Sequence, residues 1–243
     1  MRYPVFLYPD DPLPSPEDFI QDPNFPEGLI ALSDEINPQR LIQAYQQGIF
    51  PWYSEGQPVL WWFTSPRMVL NPENFIVSHS LRKKIKQILR DPDWEIRVDS
   101  AFADVIRACA NSPRKGQEGT WITTEIQESY QALHQQGIAH SIETWYQDKL
   151  VGGLYGVNLG EMFFGESMFS SASNASKIAL AALTAMCINV GIPLIDCQQQ
   201  TQHLTSMGGQ LIDKSQFIQT IKGLVKKISP KWQFDKNVLA YWL

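Results

Sequence analysis

The chain has 243 residues, a formal net charge of −5, 44% hydrophobic residues, eight Trp and three Cys. The acidic balance excludes a generic polyanion binder, and an odd number of cysteines without CxxC spacing excludes a disulfide framework and points to a reducing compartment. With no charged-then-apolar leader and no apolar run long enough for a bilayer, a cytoplasmic protein off the membrane is expected.

The charge is unevenly spread. The first forty residues carry Asp10, Asp11, Glu17, Asp18, Asp22, Glu27, Asp34 and Glu35 against Arg2 and Arg40. Their prolines (Pro4, Pro9, Pro12, Pro14, Pro16, Pro23, Pro26) predict an extended, surface-wrapped lead-in over residues 1–28. A helix is expected at about 38–47, with Asn37 as N-cap, Pro38 in its first turn, Gly48 at its end, and Leu41, Ala44 and Tyr45 facing inward. The aromatic runs Gly48–Tyr53 and Val59–Phe63 make either a small domain's core or one wall of a binding site. The Pro-bearing stretch 64–72 marks a domain boundary, giving a small N-terminal α/β domain at 1–70 and a larger one at 71–243.

A basic helix follows at 78–90, a strand at 94–98, a helix at 101–110 and a polar loop over 111–119. Thr124 and Gln127 form a capping box for a helix at 125–136, with Ile126, Tyr130 and Leu133 as its stripe. Three strands at 140–147, 150–157 and 161–165, joined by Gln147-Asp148-Lys149 and Asn158-Leu159-Gly160, read as an antiparallel meander. The helix at 175–190 is apolar nearly all round and therefore buried. A strand at 193–197, a helix starting over 201–207 and a final strand region at 232–243 complete the pattern. The fold class is α+β, with a mixed, mainly antiparallel sheet in an order similar to acetyltransferases of the GNAT type. In that order two neighbouring strands splay apart, here near Glu166 and Asp196.

Those two acids carry the chemistry. Glu166 follows Gly165, where a backbone can approach a ligand, and it either serves a reaction or caps the next helix. Asp196 and Gln198 stand two residues apart, so on a continuous strand they share a face. An acid beside an amide suits orienting an amine and taking its proton; the alternative is a pair that satisfies strand-end backbone groups. Cys197, between them, points to the other face and is read as buried rather than nucleophilic. Ser173 or Asn174 is expected to cap the following helix. Trp52, Trp121 and Phe169 are candidates for an aromatic wall, and Leu154, Met168, Leu183 and Ile195 for an apolar side-chain pocket; core packing is the alternative for each. His140 and His203 lack a third ligand at metal spacing, so no metal is expected. Arg82, Lys83, Lys84, Lys86 and Arg90 can track a phosphate backbone or form a solvated helix face.

The motifs LIQAYQQGIFPW (41–52), LWW (60–62), TWI (120–122), HSIETW (140–145), LVGGLYGV (150–157), FGESMFS (164–170), NASK (174–177), LIDCQ (194–198) and TQHLTSMG (201–208) occur in order and span most of the chain. In them the chain resembles the leucyl/phenylalanyl-tRNA–protein transferases. The resemblance implies transfer of Leu or Phe, less readily Met, from aminoacyl-tRNA to the N-terminal Arg or Lys of a protein, which marks that protein for degradation. It also implies a small N-terminal domain, a GNAT-like C-terminal domain and no dissociable cofactor. Its site residues fall on Trp52, Trp121, Glu166, Asp196 and Gln198, with the apolar pocket at Leu154, Met168, Leu183 and Ile195 and Tyr45 nearby. Asp196, through Gln198, is then the expected handler of the amine and Glu166 a holder of positive charge. A monomer is expected. A coenzyme A-dependent acetyltransferase and a non-catalytic binder of aminoacyl-tRNA or N-terminal Arg are the alternatives from other classes.

Overall fold

The computed structural model describes residues 2–18, 20–113 and 119–243, so most of the polar loop expected over 111–119 lies outside the described residues. The first part of the chain runs through β1 (Arg2–Tyr3), β2 (Val5–Leu7), β3 (Ile20–Gln21), β4 (Leu29–Ser33), α1 (Pro38–Tyr45), β5 (Phe50–Pro51) and β6 (Val59–Trp62). Helix α1 forms as its sequence predicts. Asn37 accepts the Arg40 N–H, Pro38 occupies the first turn, and Leu41, Ala44 and Tyr45 are buried. A four-stranded sheet in the order β2-β4-β6-β5 backs it. Trp61 is fully buried there, and its indole N–H donates to Ser33 Oγ at 2.9 Å, which removes the cost of burying that donor.

The Pro-rich lead-in is more than a wrap. Val5–Leu7 pair in parallel with Ala31–Ser33. The Arg40 guanidinium donates to the carbonyls of Tyr8, Pro9 and Asp11 and ties the segment down.

The second part contains β7 (Arg67–Leu70), α2 (His79–Ile88), β8 (Trp94–Val98), α3 (Phe102–Asn111), α4 (Thr124–Gln135), β9 (Ala139–Tyr146), β10 (Lys149–Leu159) and β11 (Met162–Ser170). It continues with α5 (Ala175–Val190), β12 (Leu194–Gln198), α6 (Gln202–Ser206), β13 (Gln210–Ile212) and α7 (Lys214–Leu224). One mixed sheet runs β13-β7-β12-β11-β10-β9-β8. Strands β8 to β11 pair antiparallel in sequence order. Gln147 and Asp148 both take positive φ at the β9–β10 turn, matching the twist of a two-residue hairpin. Strands β11 and β12 pair in parallel across Met162–Phe164 and Leu194–Asp196, with α5 as the crossover, and then part. This is the α+β class with the mixed, mainly antiparallel sheet expected.

Several expectations need correction. Arg67–Leu70, placed in the small domain, pair with β12 and β13 and belong to the larger sheet. Strand β11 does not stop at 165 but continues through Glu166 to Ser170. The N-cap of α4 is Thr123 rather than Thr124, and Gln127 turns its amide to the Ile122 carbonyl. The C-terminal segment forms 3-10 turns over Lys236–Trp242 instead of a strand. Its Trp242 N–H donates to the Ala181 carbonyl of α5 at 2.8 Å, so the segment covers that helix.

Each face of the large sheet has its own core. Ile142, Leu154, Phe163 and Ile195 pack with α5, α2 and the C-terminal turns. Tyr155, Val157 and Phe164 pack with α3, α4, α7 and the small sheet. Gly48 allows that second junction: its φ is +72, and a Cβ there would lie 2.5 Å from the Phe217 ring of α7.

Candidate active site

Where β11 and β12 part, a cavity of about 460 Å³ opens between the two cores. Leu154, Met168, Leu180, Leu183, Ile195 and Leu204 line its apolar end, and Phe50, Trp52 and Trp121 form an aromatic wall. Glu166, Gln198, Gln199 and His203 are among its polar groups. The predicted residues Trp52, Trp121, Leu154, Met168, Leu183, Ile195, Glu166 and Gln198 are thus brought to one place by six different segments.

A bulge aims Glu166. Strand β10 pairs Tyr155 with Ser167 and then Gly156 with Gly165, which leaves Glu166 as the extra residue of β11. The bulge requires Gly156, where a Cβ would sit 2.2 Å from the Phe164 carbonyl oxygen. Three donors converge on the carboxyl group. The Tyr45 hydroxyl reaches Oε1 at 2.6 Å, the Tyr130 hydroxyl reaches Oε2 at 3.1 Å, and Gln198 Nε2 reaches Oε1 at 2.8 Å. The two tyrosine hydroxyls also touch one another. Burial raises the Glu166 pKa to about 7 even though these three donors favour the carboxylate, and the Asp196 charge adds to the rise. Burial first, and then the Glu166 charge, hold both tyrosines well above the ordinary phenol value.

Gln198 is set by its backbone. It takes φ +57, its N–H donates to Asp196 Oδ1 at 2.9 Å, and its carbonyl accepts from Thr64 Oγ1 at 3.1 Å. The register against β7 shifts between Asp196 and Gln198. The strand is therefore not continuous at that point, and the two side chains do not share a face.

Asp196 consequently does not reach the cavity. Its oxygens receive Arg67 Nε at 2.8 Å and Nη2 at 2.6 Å, and the two side chains are 1% and 0% exposed. The guanidinium carbon lies 5.0, 5.6 and 4.6 Å from the ring centres of Phe50, Phe63 and Phe217. Both carboxylate oxygens are committed to the ion pair, so Asp196 supports Gln198 from behind and is not placed to take a substrate proton. Cys197, expected to point away, lines the cavity for the same reason. Burial, foremost, pushes its thiol pKa up, which leaves it a poor nucleophile. Phe169 is core: it packs beside Gly153 toward Val105. Tyr45 lies beneath the cavity floor and touches it only through Glu166.

The basic helix α2 packs on α5 and the C-terminal turns, away from this cavity. Lys83, Lys86 and Arg90 are exposed, whereas Arg82 donates to the Leu243 carbonyl at 2.9 Å and Lys84 lies 3.8 Å above the Trp94 ring. Asn174 is the N-cap of α5, yet its side chain makes no capping bond; Ser170 Oγ instead accepts the Ser176 N–H at 3.2 Å. Besides the lining residues Phe50, Leu180 and Leu204, two residues that set the acids escaped sequence reasoning. Tyr130 was visible only as one member of a core stripe, and Arg67 followed a proline in what read as a linker.

The sequence matches a family of known proteins. Residues 34–65 match the N-terminal domain of leucyl/phenylalanyl-tRNA protein transferases and residues 69–222 match the leucyl/phenylalanyl-tRNA protein transferase model. A Cupriavidus taiwanensis relative named leucyl/phenylalanyl-tRNA–protein transferase is 55% identical over 240 residues, covering 98% of this chain and 96% of its own. A Burkholderia orbicola protein of the same name is 55% identical over 235 residues, covering 97% and 92%. Among solved structures, L-PGS from Bacillus licheniformis aligns with TM-score 0.41 and 12% identity over 82% of this chain and 65% of that one. A GCN5-related N-acetyltransferase from Kribbella flavida aligns with TM-score 0.35 and 9% identity over 80% and 66%. On the family models and the full-length relatives, the chain belongs to the leucyl/phenylalanyl-tRNA protein transferase family.

Proposed function

We propose that this chain transfers Leu or Phe from aminoacyl-tRNA to proteins that begin with Arg or Lys, and that the transfer takes place in the cavity between β11 and β12. The observation that carries the reading is one cavity with an apolar end built from Leu154, Met168, Leu183 and Ile195 and a carboxyl group, Glu166, poised near neutrality at its floor. The apolar end takes the donor's side chain. Trp52 and Trp121 flank the terminal nucleotide that carries it. The exposed Lys83, Lys86 and Arg90 contact tRNA phosphates farther off.

The reaction is ester aminolysis. The acceptor's α-amine attacks the aminoacyl carbonyl, a C–N bond forms, and the ribose oxygen leaves. An α-amine has a pKa of about 8, so part of it is already neutral in the cell. What remains is to orient the amine and accept one proton, and the best acceptor has a pKa close to the working pH. Glu166 meets that requirement, and the Gln198 carboxamide beside it orients the amine. The role expected of Asp196 passes to Glu166; Asp196 and Arg67 hold Gln198 in place. Much of the acceleration then comes from proximity.

Donor selection tests the reading. An apolar pocket separates side chains by roughly 1–3 kcal/mol per methylene and rejects others by shape. With a peptide beginning with Arg, labelled Leu-tRNA and Phe-tRNA are expected to deliver label to the peptide, and Ile-tRNA to lag by at least about tenfold. Equal delivery of Ile would remove the pocket from the account.

A further inference from the structure

Three hydroxyl or carboxyl groups meet beneath the cavity: Tyr45 from α1, Tyr130 from α4 and Glu166 from the β11 bulge. Every pair among them is in hydrogen-bond contact. With Glu166 as a carboxylate, two hydroxyl protons must serve three contacts, and one contact has no proton. A single added proton completes the set. Glu166 Oε1 then donates to Tyr45, Tyr45 turns its proton to Tyr130, and Tyr130 donates to Oε2. Gln198 Nε2 continues to donate to Oε1 throughout. Such a closed ring, out of water, strengthens each of its bonds.

We infer that Tyr45 and Tyr130 are positioning residues that make Glu166 a reversible proton store for the transfer. This rests on the reading of Glu166 as the proton acceptor and adds the parts that let it accept and release. As the C–N bond forms, the proton lost by the amine nitrogen moves to Glu166 Oε1 and closes the ring. As the C–O bond breaks, the same proton passes from Glu166 to the departing ribose oxygen, and the ring opens again. No proton is gained or lost over the cycle, and no other reagent enters.

The remaining groups around Glu166 leave it as the acceptor. Asp196 on β12 is paired with Arg67 of β7. Cys197 stays a thiol because burial raises its pKa. His203 of α6 also lines the cavity, and burial and then Lys177 lower its pKa, which makes its imidazole a weaker base than the Glu166 carboxylate. Tyr155 of β10 lines the same wall as a buried phenol.

The test is the ratio of wild-type to variant kcat/KM from pH 6 to 9 with one Arg peptide and saturating Leu-tRNA. The acceptor's own titration is common to both enzymes and cancels. Removing a donor from a carboxylate raises its pKa, so for Tyr130→Phe the ratio should climb as pH falls, reaching about tenfold for a shift of one unit, while the KM for Leu-tRNA stays within about twofold. Tyr45→Phe should do the same, which keeps the test available if either variant folds poorly; thermal melts identify one that does. A ratio that is flat with pH, whatever its size, marks the tyrosines as merely structural and overturns the proposal. Glu166→Gln separates the parent reading: if it keeps activity close to wild type, Glu166 is not the acceptor at all, whereas a large loss there with flat tyrosine ratios defeats the ring alone.

Discussion

Glu166 is a carboxyl group that its surroundings hold in two minds. Burial favours the acid, and three donors favour the carboxylate. Because its folded pKa lies above that of a free Glu, its neutral form supports folding below about pH 4.5, and that support is lost as pH rises through 7. Glu166→Gln, which removes the charge and keeps hydrogen-bonding capacity, is therefore expected to stabilise the protein, by on the order of 3 kcal/mol at pH 8 and by less at pH 6; melting curves at the two values check it. The same variant should lose about a hundredfold in turnover with little change in donor KM. Stability and activity moving in opposite directions would mark the residue as kept for chemistry. Sequence reading found both acids, and the proposed reading exchanges the tasks it gave them. The former assumed strand alternation across Asp196, Cys197 and Gln198, and the register shift there breaks that assumption. Nothing local to the LIDCQ motif announces an Arg67 partner 129 positions away in sequence.

The elements were legible wherever pattern and punctuation agree. The capped helix α1, the meander turns and the apolar α5 all follow from local rules. Strand β11 was cut short because Gly165-Glu166 interrupts its apolar run, and that interruption is the bulge that makes the site. Strands β7 and β13 are short and exist only by pairing, β7 with β12 and β13 with β7, a tertiary cause with little local signal. The bulge gives a test at this scale. Gly156→Ala puts a methyl group against the Phe164 carbonyl, so a loss of about 2–3 kcal/mol in urea unfolding is expected, with activity falling further than stability because Glu166 is displaced. For α2, reversing Lys83, Lys86 and Arg90 to Glu should raise the KM for aminoacyl-tRNA, with the difference shrinking as salt is added. Reversing these three should matter more than Arg82 or Lys84, which are engaged within the protein.

Over the whole molecule, the Arg67–Asp196 pair fastens the large sheet to the aromatic floor formed by Phe50, Phe63 and Phe217. Arg67→Met leaves a buried carboxylate without its counter-charge, and about 3–5 kcal/mol of stability should go with it. Adding Asp196→Leu should recover most of that loss and little of the activity, since the Gln198 N–H then has no acceptor; equilibrium unfolding beside a transfer assay separates the two effects. The cavity itself is a property of the assembled fold. Its walls come from α5, α6, three strands of the large sheet and the loops around Trp52 and Trp121; the sequence offered the aromatic and apolar residues as candidates, with core packing as the alternative for each, and only the assembled fold brings them to one cavity. On the proposed reading, this one cavity joins an aminoacyl-tRNA donor to a basic N-terminus. The most direct measurement incubates the protein with labelled Leu-tRNA and two peptides that differ only in beginning with Arg or with Ala. Label is expected on the Arg peptide, joined to its α-amine, and not on the Ala peptide; label on neither, together with acetyl transfer to the Arg peptide from acetyl-coenzyme A, would contradict the account.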